Sequence, residues 1–180
     1  MNVAANKVRQ YFEPVFNARP LRVKPGVGSF LTFEFGPRSK VHGHFQARWR
    51  LWIYLSNWTI FHGNHQLMDS DADRKRIAII AHRLEEEACL TDVDFDPRSR
   101  KTTFLFNDFR LVVSPADYLE DVDERDDYWI FFMPNNKAVA LGPSGIQVEH
   151  ANTRHSSADG KKQKIEITEV NKTRQVRLID

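Results

Sequence analysis

Along residues 45–61 the apolar positions recur with a period of two. Phe45, Ala47, Trp49, Leu51, Ile53 and Leu55 fall on one side; Gln46, Arg48, Arg50, Trp52, Tyr54 and Ser56 fall on the other. Successive strand side chains point to opposite faces, so this is the pattern of a half-buried antiparallel strand. A helix would set Arg48 and Arg50 among Trp49 and Leu51 with no clean stripe. Ser56-Asn57 has the character of a tight turn into a second strand, Trp58 to His62. The expected hairpin sets Leu55 opposite Trp58, Ile53 opposite Ile60 and Leu51 opposite His62. Its other face pairs Tyr54 with Thr59 and Trp52 with Phe61.

The rest of the chain is punctuated in the same way. Val8, Phe12, Val15 and Phe16 share a helical face within 4–17, and Pro14 ends that helix near Phe12. Ser29 to Gly36 alternates as a strand, with Leu31, Phe33 and Phe35 opposed to Phe30, Thr32 and Glu34. Gly36 to Lys40 is expected to be a loop. The long helix is expected over 71–88, capped by Ser70 or Asp69, with Ile77, Ile80, Ala81, Leu84 and Ala88 as its buried stripe. Its Glu85-Glu86-Glu87 run sits at the unfavourable end of the helix dipole.

Strand patterns then return. Val93 and Phe95 alternate with Asp92, Asp94 and Asp96. Asn107-Asp108 joins Thr102–Phe106 to Phe109–Ser114, which places Phe104 opposite Leu111. Residues 115–127 are acidic and loop-like. Tyr128–Met133 is apolar on both faces, as a central covered strand would be. Ala138–Leu141 and Ile146–Glu149 complete a meander, and two alternating runs flank 171–174 near the C-terminus. The sum is an α+β fold: one twisted antiparallel sheet of about eight strands, or a half-barrel, on one long helix with a short N-terminal helix. Residues 1–150 are expected to form a single domain, with 151–180 a polar linker and C-terminal hairpin extension.

Composition narrows this only slightly. The 180 residues suffice for one core, and 13 Phe with 4 Trp favour sheet over helix bundle. A net charge of +2 and the absence of an RNP, KH or helix-turn-helix pattern argue against nucleic acid as a partner, and leave oligonucleotide binding through Arg48, Arg50 and Trp52 as a minor third reading. One cysteine, Cys89, allows no internal disulfide, which fits a reducing, cytoplasmic setting. No apolar run reaches the roughly 20 residues of a membrane span, and the N-terminus lacks the apolar core of a signal peptide.

Three stretches carry a resemblance: Ser29-Phe30-Leu31-Thr32-Phe33-Glu34-Phe35-Gly36; Trp49-Arg50-Leu51-Trp52-Ile53-Tyr54 with Trp58 behind; and Asp94-Phe95-Asp96-Pro97 before Phe104-Leu105-Phe106. Over about residues 27–149 the chain resembles a group of small uncharacterised bacterial proteins with a glycine-ended strand, a Trp-rich hairpin, one helix and a closing meander. The resemblance implies a fold and brings no activity, cofactor or catalytic residue.

Candidate chemistry is of three kinds. His42, His44, His62 and His65 flank the Trp-rich stretch as metal-ligand candidates, without the spacing of a known metalloenzyme motif. Asp69–Asp73 and Asp92–Asp96 begin like calcium loops, but Arg74 or Pro97 stands at the sixth position and Ile80 or Thr103 at the twelfth. Arg48, Arg50, Trp52, Tyr54 and Phe61 would form an aromatic-cationic surface of the kind that binds anions or stacks bases. The competing expectation is that a helix or second sheet covers that face, with the arginine stems reaching outward. No nucleophile motif or phosphate loop is present, so no catalytic residue or cofactor is expected. The leading expectation is a non-enzymatic interaction or accessory protein, its partner another protein or a second copy in a homodimer. The alternative is a ligand- or metal-binding pocket, possibly enzymatic, near Trp52, Tyr54, His44 and His62.

Overall fold

The computed structural model describes residues 3–28, 30–41, 43–116, 127–134, 136–150, 164–170 and 173–179. Most of the acidic 115–127 segment, the polar 151–160 segment and His42 lie outside the described residues. Helix α1 (Val3–Phe12) runs into a 3-10 turn (Glu13–Val15) at Pro14, where the sequence places its end. Strands β1 (Arg22–Pro25), β2 (Leu31–Val41), β3 (His44–Ile53), β4 (Ser56–His62) and β5 (His65–Asp69) follow. After α2 (Arg74–Glu87) come β6 (Leu90–Asp96), β7 (Lys101–Phe106), β8 (Phe109–Pro115), β9 (Trp129–Met133), β10 (Lys137–Gly142), β11 (Gly145–His150), β12 (Lys164–Val170) and β13 (Thr173–Ile179).

The fold is α+β, but the expected single sheet is two. A large sheet runs β1-β2-β3-β9-β10-β11, antiparallel throughout. The terminal hairpin β12–β13 joins its β11 edge through one parallel bridge, His150 to Gln175. A small antiparallel sheet runs β5-β4-β8-β7-β6. Among the described residues the sheets do not close into a barrel. They pack face to face through aromatic side chains. Phe33 of the large sheet stacks on Phe106 of the small one at 5.8 Å, and Phe104 meets Trp129 edge-on at 6.0 Å. Phe12 of α1 reaches both sheets, 4.1 Å from Phe131 and 5.4 Å from Phe104.

Among the described residues a buried side-chain pair crosses this interior. Trp129 Nε1 donates to Thr102 Oγ1 at 2.8 Å, and both residues are fully buried. An indole N–H so placed needs an acceptor, because burying it unpaired costs roughly 1–3 kcal/mol.

The Trp-rich stretch is where the structure departs most from the expected pairing. Ser56-Asn57 is not a hairpin turn. β3 lies between β2 and β9 in the large sheet, whereas β4 lies between β5 and β8 in the small one. The chain changes sheets at Tyr54-Leu55, with Leu55 at φ 27°. The Tyr128 carbonyl accepts from Tyr54 N at 2.9 Å and from Ser56 Oγ at 3.2 Å, which holds the corner. Ser56 is therefore a buried corner residue. The alternation itself survives: Ala47, Leu51 and Ile53 are buried and Arg48 is exposed, although Phe45 is 64% exposed.

Other corrections are local. Gly36–Lys40 is not a loop, because β2 continues through a bulge between Phe35 and Arg38. Gly36 permits it with φ +72°, and a Cβ there would lie 2.6 Å from the Trp49 ring. Helix α2 is shorter than expected and is capped by Asp73, whose carboxylate accepts from Lys75 N and Arg76 N, rather than by Ser70 or Asp69. The helix comes closest to β1 and β5, one edge strand of each sheet, and Arg83 reaches over the Phe109 ring of β8 at 5.5 Å. Glu85, at its dipole-disfavoured end, accepts from Val23 N at 2.6 Å and so covers an edge amide of β1. β9 is central as expected, yet Ile130 and Phe132 on its outer face are only half-buried.

Two outcomes follow for chemical denaturation. Thr102→Val, which strands the Trp129 indole, lowers stability by about 1–3 kcal/mol, whereas Thr102→Ser, which keeps the hydroxyl, loses less. Equal losses would mean that the hydroxyl is not the indole's partner. Gly36→Ala costs about 1–3 kcal/mol through its left-handed backbone alone; an unchanged midpoint would contradict the bulge.

Candidate aromatic and cationic face

Because Leu31, Phe33, Phe35, Leu51, Ile53, Trp129 and Phe131 point into the core, their alternates form the outer face of the large sheet. Register arranges these into two cross-strand rows. One runs Arg22, Glu34, Arg50, Phe132 over β1, β2, β3 and β9. The next runs Lys24, Thr32, Trp52, Ile130 over the same strands. Neighbouring strands lie about 4.8 Å apart, so each row spans about 14 Å.

Arg50 is the centre of this face. Its guanidinium lies 4.8 Å from the Phe132 ring centre and 5.7 Å from that of Trp52. Those two rings meet edge-on at 4.8 Å. Phe30 extends the cluster, 6.1 Å from Trp52 and 4.4 Å from Tyr54. Burial pulls the Arg50 pKa below the usual guanidinium range, and the Glu34 carboxylate opposes that shift. The group stays a cation at neutral pH, since guanidinium begins so far above it. Glu34 Oε2 is buried without a hydrogen-bond partner, and Arg38 Nε stands 3.5 Å away as an ion pair. Arg22, Lys24 and Arg48 are exposed, and Arg48 lies over Trp49 at 4.8 Å.

Of the surface expected from sequence, Arg48, Arg50 and Trp52 thus belong to one sheet, Tyr54 follows at the corner against Phe30, and Phe61 lies apart. Phe61 lies in the small sheet opposite Arg110, whose guanidinium covers its ring at 4.6 Å. The expected Trp52–Phe61 pair is replaced by Trp52 opposite Ile130 and Thr32. Phe30, Glu34, Arg22, Lys24 and Phe132 were not foreseen as members. Alternation did place Phe30 and Glu34 on the face away from Phe33, but only the β2–β3 and β3–β9 registers bring Glu34 and Phe132 to Arg50, while Phe30 meets Trp52 and Tyr54.

The histidines are divided between the sheets. His44 opens β3, while His62 and His65 face each other across β4 and β5. His62 packs on Phe109 at 4.8 Å. His42 lies outside the described residues. Among the described residues no three His, Cys, Asp or Glu side chains gather to hold a metal ion. The residues of the expected pocket are divided between the sheets: His44 and Trp52 lie on β3, Tyr54 just beyond it, and His62 on β4. The two acidic runs serve local structure. Asp73 caps α2, and Asp96 accepts from Ser99 Oγ at 2.6 Å and Arg98 N at 3.0 Å, contacts that hold its carboxyl below the usual range.

No helix among the described residues is long and apolar enough to cross a membrane. Comparison with protein-family models, curated proteins and solved structures finds no match for the chain.

Replacing Arg50 by Met keeps an unbranched stem over Phe132 and Trp52 while removing the charge. Its unfolding free energy is expected to change by less than about 1.5 kcal/mol, the scale of a well-accommodated side-chain swap. A loss of several kcal/mol would make Arg50 a structural cation, unavailable to a partner.

Proposed function

We propose that this chain is a non-enzymatic interaction protein that holds an anionic partner on the outer face of its large sheet. The observation that carries the reading is the state of Arg50. Two rings flank the guanidinium and fix its position, yet among the described residues its N–H groups donate to no acceptor. A cation positioned by packing rather than by hydrogen bonds keeps its directional donors for a ligand, and a guanidinium fork suits carboxylate or phosphate. The surrounding charge agrees: Arg22, Lys24, Arg48 and Arg50 stand with two acidic residues in register, Glu34 on β2 and Glu149 at the far end of the row on β11. The lone Cys89 supports a reducing setting, and the cytoplasm is the compartment proposed.

The test is site-directed photo-cross-linking in cell extract. A photoreactive side chain at Lys24 on the outer face of the large sheet is expected to give discrete adducts. One at Asp94, exposed on the small sheet, is not. Arg50→Met is expected to remove the Lys24 adducts. Equal labelling from both positions, or labelling indifferent to Arg50, would overturn the assignment.

A further inference from the structure

We infer that the partner held on this face is a single-stranded nucleic acid. The inference rests on the proposed interaction surface and adds the chemistry of what it holds. Whole-chain charge is a poor guide here, because +2 is an average over 26 basic and 24 acidic residues. Register makes the distribution uneven. Arg22 and Lys24 on β1 lie two strands from Arg50 and Trp52 on β3, and Phe132 and Ile130 on β9 lie one strand further. From β1 to β9 each row therefore passes from exposed cation to half-buried apolar or aromatic group within about 14 Å, with Glu34 inside the first row. Both rows then continue through the buried Ala138 and Ala140 of β10 to Glu149 and Gln147 of β11.

Unpaired nucleic acid has the complementary layout. Its phosphates form one charged edge, and its unstacked bases form a planar apolar edge beside it. A strand laid across the rows would set phosphates against the exposed Arg22 and Lys24, with the half-buried Arg50 guanidinium beyond the Glu34 carboxylate as a further cation. Its bases would meet Trp52, Phe30, Tyr54 and Phe132. Four-stranded RNA-binding sheets use the same division, stacking roughly two or three bases on aromatic side chains of one face. A duplex presents no base faces and would engage only the cations. An acidic peptide would satisfy Arg50 and the lysine but has no planar groups in register with the rings. The two rows and their ring cluster favour the nucleic acid.

The test is fluorescence anisotropy with the full chain and a labelled unpaired oligonucleotide of about 12 nucleotides, within the ~4–16 that single-strand folds cover. It is compared with a duplex of that length, an abasic strand and a glutamate-rich peptide. The unpaired strand is expected to bind at least about tenfold tighter than any of the three, as the loss of one stacked base implies. Trp52→Leu is expected to bring the strand close to the abasic level. Arg22→Ala with Lys24→Ala, both at exposed positions, is expected to leave the preference for bases intact. It should flatten the plot of log affinity against log salt by about 1.4, twice the ~0.7 expected per phosphate contact on a single strand.

Equal affinity for strand, abasic strand and duplex would reduce the face to a polyanion binder and overturn the inference. So would a glutamate-rich peptide that binds as tightly through Arg50, or no binding at low salt. The Lys24 cross-link separates these failures from failure of the interaction surface. Arg50-dependent adducts that survive nuclease and are lost to protease keep the surface and reject nucleic acid. The absence of both adducts and oligonucleotide binding rejects both.

Discussion

The interior between the two sheets depends on Trp129. Its indole fills the middle of the aromatic packing, next to Phe104 and Phe12, and its only polar atom finds Thr102 on the opposite sheet. Apolar contacts alone tolerate sliding of one sheet over the other, since dispersion and burial are weakly directional. A buried N–H to O bond is not so tolerant, because a slip leaves two unpaired groups in a dry core. This contact, together with the Tyr128 carbonyl that accepts from Tyr54 N and Ser56 Oγ, fixes how the strands of the two sheets lie against each other. β9, which carries Trp129 inward, carries Ile130 and Phe132 outward.

That coupling links the core to the proposed surface. Arg50 owes its place to two strands joined by no short connection: its own β3, and β9 some eighty residues later in the chain. The corner at Tyr54-Leu55 makes this possible. By leaving the large sheet there, the chain frees the flank of β3 for β9, and the carbonyl of Tyr128 just before β9 ties the corner down. Had Ser56-Asn57 formed a hairpin, β4 would occupy that flank and Phe61 would stand where Ile130 stands. The ring beside Arg50 would then have different neighbours and the cationic row would end against a different strand.

Local features of this chain were legible from its residues because they are decided locally. The alternation in β2, β3, β7 and β8, the stripe of α2 and the end of α1 at Pro14 all depend on neighbours a few positions away. The Asn107-Asp108 connection sets Phe104 opposite Leu111 for the same reason. The failures are long-range or concern polar atoms whose partners are distant. Ser56 has the composition of a turn, yet its hydroxyl is satisfied by a carbonyl 72 positions away. Gly36-Pro37 signals a loop, yet the Trp49 ring needs the missing Cβ and the strand bulges past it. Glu85 stands at the unfavourable end of the helix dipole, yet it covers a strand edge 62 positions away. For the candidate site, alternation identified Arg48, Arg50, Trp52 and Tyr54 as one face. Period-two patterning cannot say which strand lies alongside, so Phe61 was included and Phe30 and Phe132 were not.

The most direct measurement is therefore of what surrounds Trp52 in solution. Nuclear Overhauser contacts from the Trp52 indole ring should reach the rings of Phe132 and Phe30, and none should reach Phe61. That result would establish the sheet change at Leu55 and, with it, the composite face around Arg50. Contacts from Trp52 to Phe61 and Thr59, with Phe132 absent, would restore the hairpin and dissolve the surface on which the functional proposal stands.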